Sequence, residues 1–350
     1  MHEASSMARK FAALVDMGLE RVHLSPVTTE SVRIDRRTHK VICSRPAMGT
    51  LVSVTALGRS DHKIQEAIGR AFDEMDRLIG VFSRFDGSSA VTHLNKAGRV
   101  AGPPPEFSKV ISRSLQYNRL SGGAFDISVE PVVELFRARM DQKNSREPSQ
   151  AELREALELV DPEGIRLSKS GVCLNKAGMG ITLDGIAKGY VVDAIAGVLQ
   201  KFKIRNYLIN AGGDIRTAGT KENRQPWSIA VQDPDKQGRF PDTIQLNDGA
   251  VATSGSYEVY FDRDRIFHHI VSSNSGRSPN TSASVSVVAP SAMAADALAT
   301  SVFVMGSRSG IELIESLPGC ECLLVDREGS QLKSTGWRSA ANTNRANAES

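Results

Sequence analysis

Aromatic side chains make up only 5% of this 350-residue chain, which leaves few platforms on which unpaired nucleic-acid bases could stack. Charge of one sign is missing too: 43 Lys and Arg against 40 Asp and Glu leave a dispersed net +3. Backbone binding to nucleic acid needs a concentrated basic face, so no nucleic-acid partner is expected. No apolar run approaches the roughly 20 residues that span a bilayer, and no transmembrane segment is expected. Cys43, Cys173, Cys320 and Cys322 lack the spacing of a zinc site, and Cys320-Glu321-Cys322 is too tight for an ordinary disulfide. They read as buried or idle thiols. Neither a Rossmann glycine fingerprint nor a Walker loop precedes a suitable helix, which argues against the usual dinucleotide and nucleoside-triphosphate folds. Arg9 and Lys10 precede a short apolar run from Phe11 to Val15, but Asp16 stops it and no small-residue cleavage site follows. As written, the chain is expected in the cytoplasm; a start lying elsewhere would make the periplasm the expectation.

Against these absences stand 40% hydrophobic residues, enough to build a core, and 24% charged residues, enough to cover it. The chain reads as soluble α+β, with mixed sheets, flanking helices and no internal repeat. Residues 1–40 are polar and predict an irregular arm, 41–337 a single domain, and the Ala-, Asn- and Ser-rich 338–350 a disordered tail. Ile64, Ile68, Phe72, Met75, Leu78, Ile79 and Phe82 fall on one helix face entered through Ser60 or Asp61. Pro103-Pro104-Pro105 breaks the chain before a second helix carrying Phe107, Val110, Ile111 and Leu115, which Gly122-Gly123 ends. Ser149 and Glu152 have capping-box spacing, and Ile165/Leu167 and Val172/Leu174 alternate as the arms of a hairpin.

Chemistry concentrates where Thr182-Leu183-Asp184-Gly185 leads an apolar strand into a helix. Beyond Gly185, apolar residues recur at Ala187, Val191, Ala194, Ile195, Val198 and Leu199 with helical spacing. Free backbone N–H groups then lie near Gly185 and Lys188, a setting for an anion, though an ordinary helix start with a solvated lysine fits the same residues. On the apolar helix from Ser291 to Met305, Asp296 and Thr300 share one face. A carboxylate there requires a partner: a cation, an arginine or a helix end. Of His268 and His269, neighbours on an apparent strand, only one can face a pocket, and a histidine suits proton removal near neutrality.

Further segments occur in a fixed order: Met48-Gly49-Thr50; Ser83 to Ser89 running on to Leu94-Asn95; Gly122-Gly123-Ala124-Phe125-Asp126 with Val129-Glu130-Pro131; Asn210 to Asp214; Ala252-Thr253-Ser254-Gly255; and His268-His269-Ile270 through Gly276 to Ala295-Asp296 and Thr300. Together with the Thr182 to Asp193 segment they resemble the ApbE family of FAD:protein FMN transferases, from about residue 43 to about residue 330. The resemblance implies a T-fold-like flavin transferase architecture. It implies magnesium held by Gly185 through its carbonyl, Asp296 and Thr300, with oxygen ligands suited to that ion. It assigns FAD contacts to Met48, Phe85, Ala124, Phe125, Asp126, Lys188 and Val271, with Thr182 or Asp184 on the ribose or phosphate side, and proton removal to His269.

The implied reaction moves FMN from FAD to a threonine hydroxyl of an acceptor flavoprotein subunit and releases AMP. FAD pyrophosphatase activity, or a non-catalytic FAD carrier, are the alternatives. Four departures from the family pattern stand out. Phe85 replaces a frequent tyrosine, Thr182 an aspartate and Ala299 a further aspartate found in some relatives, while Ser272 to Gly276 replaces an Asp-Pro-x-Thr-Gly turn.

Overall fold

The computed structural model describes residues 27–140, 147–232, 240–256, 270–280 and 282–340. An antiparallel sheet of nine strands forms its spine. Strand β1 (Thr28–Arg33) starts one edge, followed by β2 (His39–Ala47), β3 (Thr50–Gly58), β7 (Asn206–Ala211), β8 (Asp214–Ala218), β11 (Gly249–Gly255), β12 (Ser284–Ala289), β13 (Glu321–Val325) and β14 (Gln331–Lys333). Two small sheets complete the strands: β4 (Arg99–Ala101) with β5 (Ile165–Ser168) and β6 (Gly171–Leu174), and β9 (Trp227–Ala230) with β10 (Thr243–Leu246). Every ladder among the described residues is antiparallel.

Helices cover one face of this sheet. Helix α1 (Asp61–Phe82) starts at Ser60, whose side chain accepts from the Lys63 N–H, and buries Ile64, Ile68, Phe72, Met75 and Leu78. It packs on the sheet and on α6 (Ala187–Lys201), which packs in turn on α7 (Ala292–Met305); α7 lies against β11 and β12. Around them sit α2 (Ala90–Ala97), α3 (Pro105–Leu120), α4 (Glu130–Met140), α5 (Gln150–Leu157) and α8 (Ser307–Glu315). The expected caps hold: Pro105 opens α3, and Ser149 with Glu152 closes a capping box on α5.

Where the sequence and the structure part, the cause is local. The expected arm contains β1, an exposed edge strand carried by backbone pairing to β2 rather than by apolar burial, so no hydrophobic pattern marks it. Ser339 is buried rather than disordered, donating to Asp242 at 2.5 Å beside the buried Trp337; residues 341–350 lie outside the described residues. Ile181 to Leu183, expected as strand, has no strand partner among the described residues. Ile270 and Val271 are buried and have no strand partner among the described residues. Cys43, Cys320 and Cys322 are buried free thiols, and burial pushes Cys322 up to about 12, while Cys173 is exposed. Among the described residues no helix is long and apolar enough to cross a membrane.

Candidate active site

The site grows from the crossing of α6 and α7 near their N-terminal ends. Gly189, in the first turn of α6, lets the two backbones touch: a Cβ there would meet the Ala292 carbonyl oxygen and come within 2.9 Å of the Asp296 Cβ. Helix α6 lacks a side-chain cap of its own. Asp296 from α7 supplies one, its carboxylate accepting from the Gly189 N–H at 3.0 Å. The exchange is reciprocal, because Asp193 of α6 accepts from the N–H groups of Ala292 (2.9 Å) and Met293 (3.0 Å) at the start of α7. Each helix dipole thus faces a carboxylate of the other. The partner that buried Asp296 required is a helix end belonging to α6.

One turn along α7, Thr300 meets Gly185, where a Cβ would lie 2.8 Å from the threonine hydroxyl. Ser254 of β11 stands 3.2 Å from the same hydroxyl. Carboxylate, hydroxyls and the backbone of Gly185 form a set of hard oxygen donors of the kind magnesium takes. These residues fit the ion. No group of three or more His, Cys, Asp or Glu side chains suited to a metal occurs among the described residues, so any cation here relies on hydroxyl, carbonyl and ligand oxygens.

The opposite wall is the turn after α3. Gly122 and Gly123 take φ of 61° and 91°, and the turn is pinned from three sides. Asn118 donates to the Phe125 carbonyl at 2.9 Å, Ser121 accepts from the Phe125 N–H at 2.9 Å, and Ser273 donates to the Gly123 carbonyl at 2.9 Å. Asp126 is held by the Ser128 N–H (2.8 Å) and hydroxyl (2.6 Å), while burial pushes its carboxyl above the usual range despite those bonds. The Thr182 N–H donates to the Ile127 carbonyl at 2.8 Å. The side-chain amide of Asn95 clamps Ile181 through both backbone groups, at 2.9 and 2.8 Å. The segment before α6 therefore needs no strand partner to be fixed.

One cavity is lined by Ala124, Phe125 and Asp126, by Thr182, Asp184, Gly185 and Lys188, and by Val271, Asp296 and Thr300. Ten candidates from four distant segments thus meet. Lys188 pairs with buried Asp214 at 3.6 Å. Met48 and Phe85 do not line this cavity. Met48 occupies the β2–β3 hairpin turn with φ of 52°, followed by Gly49 at 70°, the left-handed pair that a two-residue hairpin loop demands. Phe85 is 74% exposed and borders a second cavity, of about 610 Å³. His269 lies outside the described residues. Sequence reasoning missed Ser254, Asp193 and Arg84. All three stood inside quoted segments without a role of their own; for Arg84 the reason is distance along the chain, since its partner Asp184 at 3.3 Å is 100 positions away.

A profile of the ApbE family matches residues 48–324. The FAD:protein FMN transferase of Haemophilus influenzae is 29% identical over 80% of this chain and 85% of its own length. That of Treponema pallidum is 30% identical over 79% and 82%. Among solved structures, an ApbE protein from Thermotoga maritima superposes with a TM-score of 0.76 at 31% identity, covering 88% of this chain and 97% of its own. The flavin transferase ApbE from Vibrio cholerae gives 0.71 at 25% identity, covering 89% and 98%.

Proposed function

The chain belongs to the ApbE family, and from that premise we propose that it transfers the FMN half of FAD to a threonine hydroxyl of an acceptor protein, releasing AMP. The observation that carries the reading is the meeting of the Asp126 turn, the Thr182 to Lys188 segment and the Asp296–Thr300 face in one cavity at the N-terminal end of α6. Such a junction suits a diphosphate: the positive end of α6, a lysine and hard oxygen donors that a bridging cation can use meet there.

Asp296, Thr300 and the carbonyl of Gly185 would hold magnesium, which when bound neutralises charge on the diphosphate oxygens. Lys188, fixed by Asp214, adds positive charge where the leaving phosphate of AMP gains negative charge. His269 takes the proton from the threonine hydroxyl as its oxygen bonds to the FMN phosphorus and the phosphorus–oxygen bond to AMP breaks. The products are a phosphodiester-linked flavoprotein, AMP and a protonated histidine. Ile127, Val129, Ile270 and Val304 give the cavity an apolar lining that limits water as a rival nucleophile.

The test is incubation with FAD, magnesium and a candidate acceptor, followed by intact mass of the acceptor and assay of AMP. A mass gain of one FMN with stoichiometric AMP is expected. AMP with free FMN and no gain would identify a pyrophosphatase, and bound, intact FAD a carrier.

A further inference from the structure

The cavity at the α6–α7 crossing holds a polar side chain to which neither the resemblance nor the proposed chemistry gives a role. Ser254 lies in β11, where it pairs with Val285 of β12, and it is 8% exposed where it lines the cavity with Gly185, Lys188, Asp296 and Thr300. Its neighbour Thr253 also borders the cavity, but the Thr253 hydroxyl is already paired with that of Ser286 at 2.7 Å. Ser254 has one hydrogen-bond partner for its side chain among the described residues, the Thr300 hydroxyl at 3.2 Å. The direction of that bond follows from what Thr300 would do. A hydroxyl carries one proton and two acceptor lone pairs. When the Thr300 oxygen turns a lone pair to a cation, its proton must point away from the positive charge, and Ser254 Oγ is the acceptor within reach. Ser254 then does not donate to Thr300, and its own proton is left for the cavity.

We propose that Ser254 is a further substrate-binding residue: its hydroxyl accepts the Thr300 proton and donates its own to an oxygen of the FAD diphosphate. The inference rests on the transferase reading above. A donor left without an acceptor in a nearly buried site is costly, and an anionic phosphate oxygen is the strongest acceptor that a ligand of this cavity brings. The two hydroxyls then form a relay with a fixed sense, from Thr300 to Ser254 to substrate. One end aims the Thr300 lone pair at the cation; the other holds the diphosphate on the wall made by β11. Because Ser254 sits in a paired strand, its donor is positioned before substrate arrives.

The test titrates the full chain with FAD by flavin fluorescence at a series of magnesium concentrations, with riboflavin, which has no phosphate, as the second ligand. Ser254→Ala should weaken FAD about tenfold or more, the scale of one hydrogen bond to a charged group, and saturating magnesium should not recover the loss. Thr300→Val should instead raise the magnesium concentration needed for half-maximal FAD binding, and high magnesium should recover most of its loss. Riboflavin should bind Ser254→Ala and wild type alike. Ser254→Thr keeps the hydroxyl on a residue that strands favour and should restore most of the FAD affinity, which separates the hydroxyl from packing. Unchanged FAD affinity in Ser254→Ala would overturn the inference, as would an equal loss of riboflavin. A loss that saturating magnesium recovers would also overturn it, since Ser254 would then act only by orienting Thr300. If wild type binds no FAD at any magnesium concentration, the transferase reading itself falls.

Discussion

The two neighbouring cavities solve the problem of buried polarity in opposite ways. At the α6–α7 crossing the helices satisfy each other: Asp296 takes the Gly189 N–H, and Asp193 takes those of Ala292 and Met293. Beside Phe85, two arginines and a glutamate keep buried atoms that the described fold leaves unpaired. The first cavity is preorganised by the protein alone, which is what stabilisation of a charged transition state requires. In the second, ion pairs at the other ends of the same side chains, Arg84 with Asp184 and Arg137 with Glu134, hold those atoms in place.

The largest effect is expected from the proposed general base. His269→Ala should retain FAD binding yet lose transfer by about 10²-fold or more, as expected for loss of a general base. Ser272→Asp should raise transfer in the wild-type background and do little where His269 is absent; parallel measurement of FAD affinity and acceptor mass gain checks both. Equal transfer by wild type and His269→Ala would put the base elsewhere.

Asp296→Ala comes next. Removing a neighbour of a metal ligand commonly costs 10- to 100-fold, so loss of a ligand should cost about 10²-fold at ordinary magnesium, with partial rescue at high magnesium. The same change leaves the Gly189 N–H without its acceptor, costing about 1–3 kcal/mol in urea unfolding. Turnover that is independent of magnesium in both proteins would remove the metal from the site.

Gly189→Ala tests the crossing as a packing device. The added methyl meets the Ala292 carbonyl and the Asp296 Cβ, so unfolding should show a loss of about 1–3 kcal/mol. An unchanged midpoint would mean that the helices separate freely.

The last test concerns the cavity beside Phe85. Burial raises the Glu130 carboxyl from 4.5 to about 8, with Arg84 opposing the shift. The folded protein therefore binds this proton more tightly than the unfolded chain, and the associated stability is complete below pH 4.5 and lost as pH rises through about 8. Glu130→Gln carries no such proton, so its stability relative to wild type should rise from pH 5 to pH 9. Parallel unfolding curves across that range would show that Glu130 does not titrate in the fold.

Much of the preorganised cavity was legible because its residues lie in compact segments with distinctive chemistry. Gly122 to Asp126, Thr182 to Lys188, and Asp296 with Thr300 each stand out locally, and the structure brings them together. Phe85 was legible as a ring but not as a resident of a different cavity, since a motif gives order along the chain and not depth in the fold. Arg84 and Glu130 stood inside the quoted segments without a role and Arg137 outside them: two surface-type cations and a carboxylate are ordinary until a cavity buries them.

The sequence by itself determined helices α1, α3, α5, α6 and α7, the capped starts of α1 and α5, the β5–β6 hairpin and the family, because periodicity, caps and motif order are properties of neighbouring residues. Tertiary structure alone decided that Asp296 caps another helix, that Ser339 anchors the end of the described chain, and that the unpaired atoms of Arg84, Glu130 and Arg137 share one cavity. Those facts depend on contacts across as many as 107 positions, where burial and hydrogen bonding are set by which backbones meet.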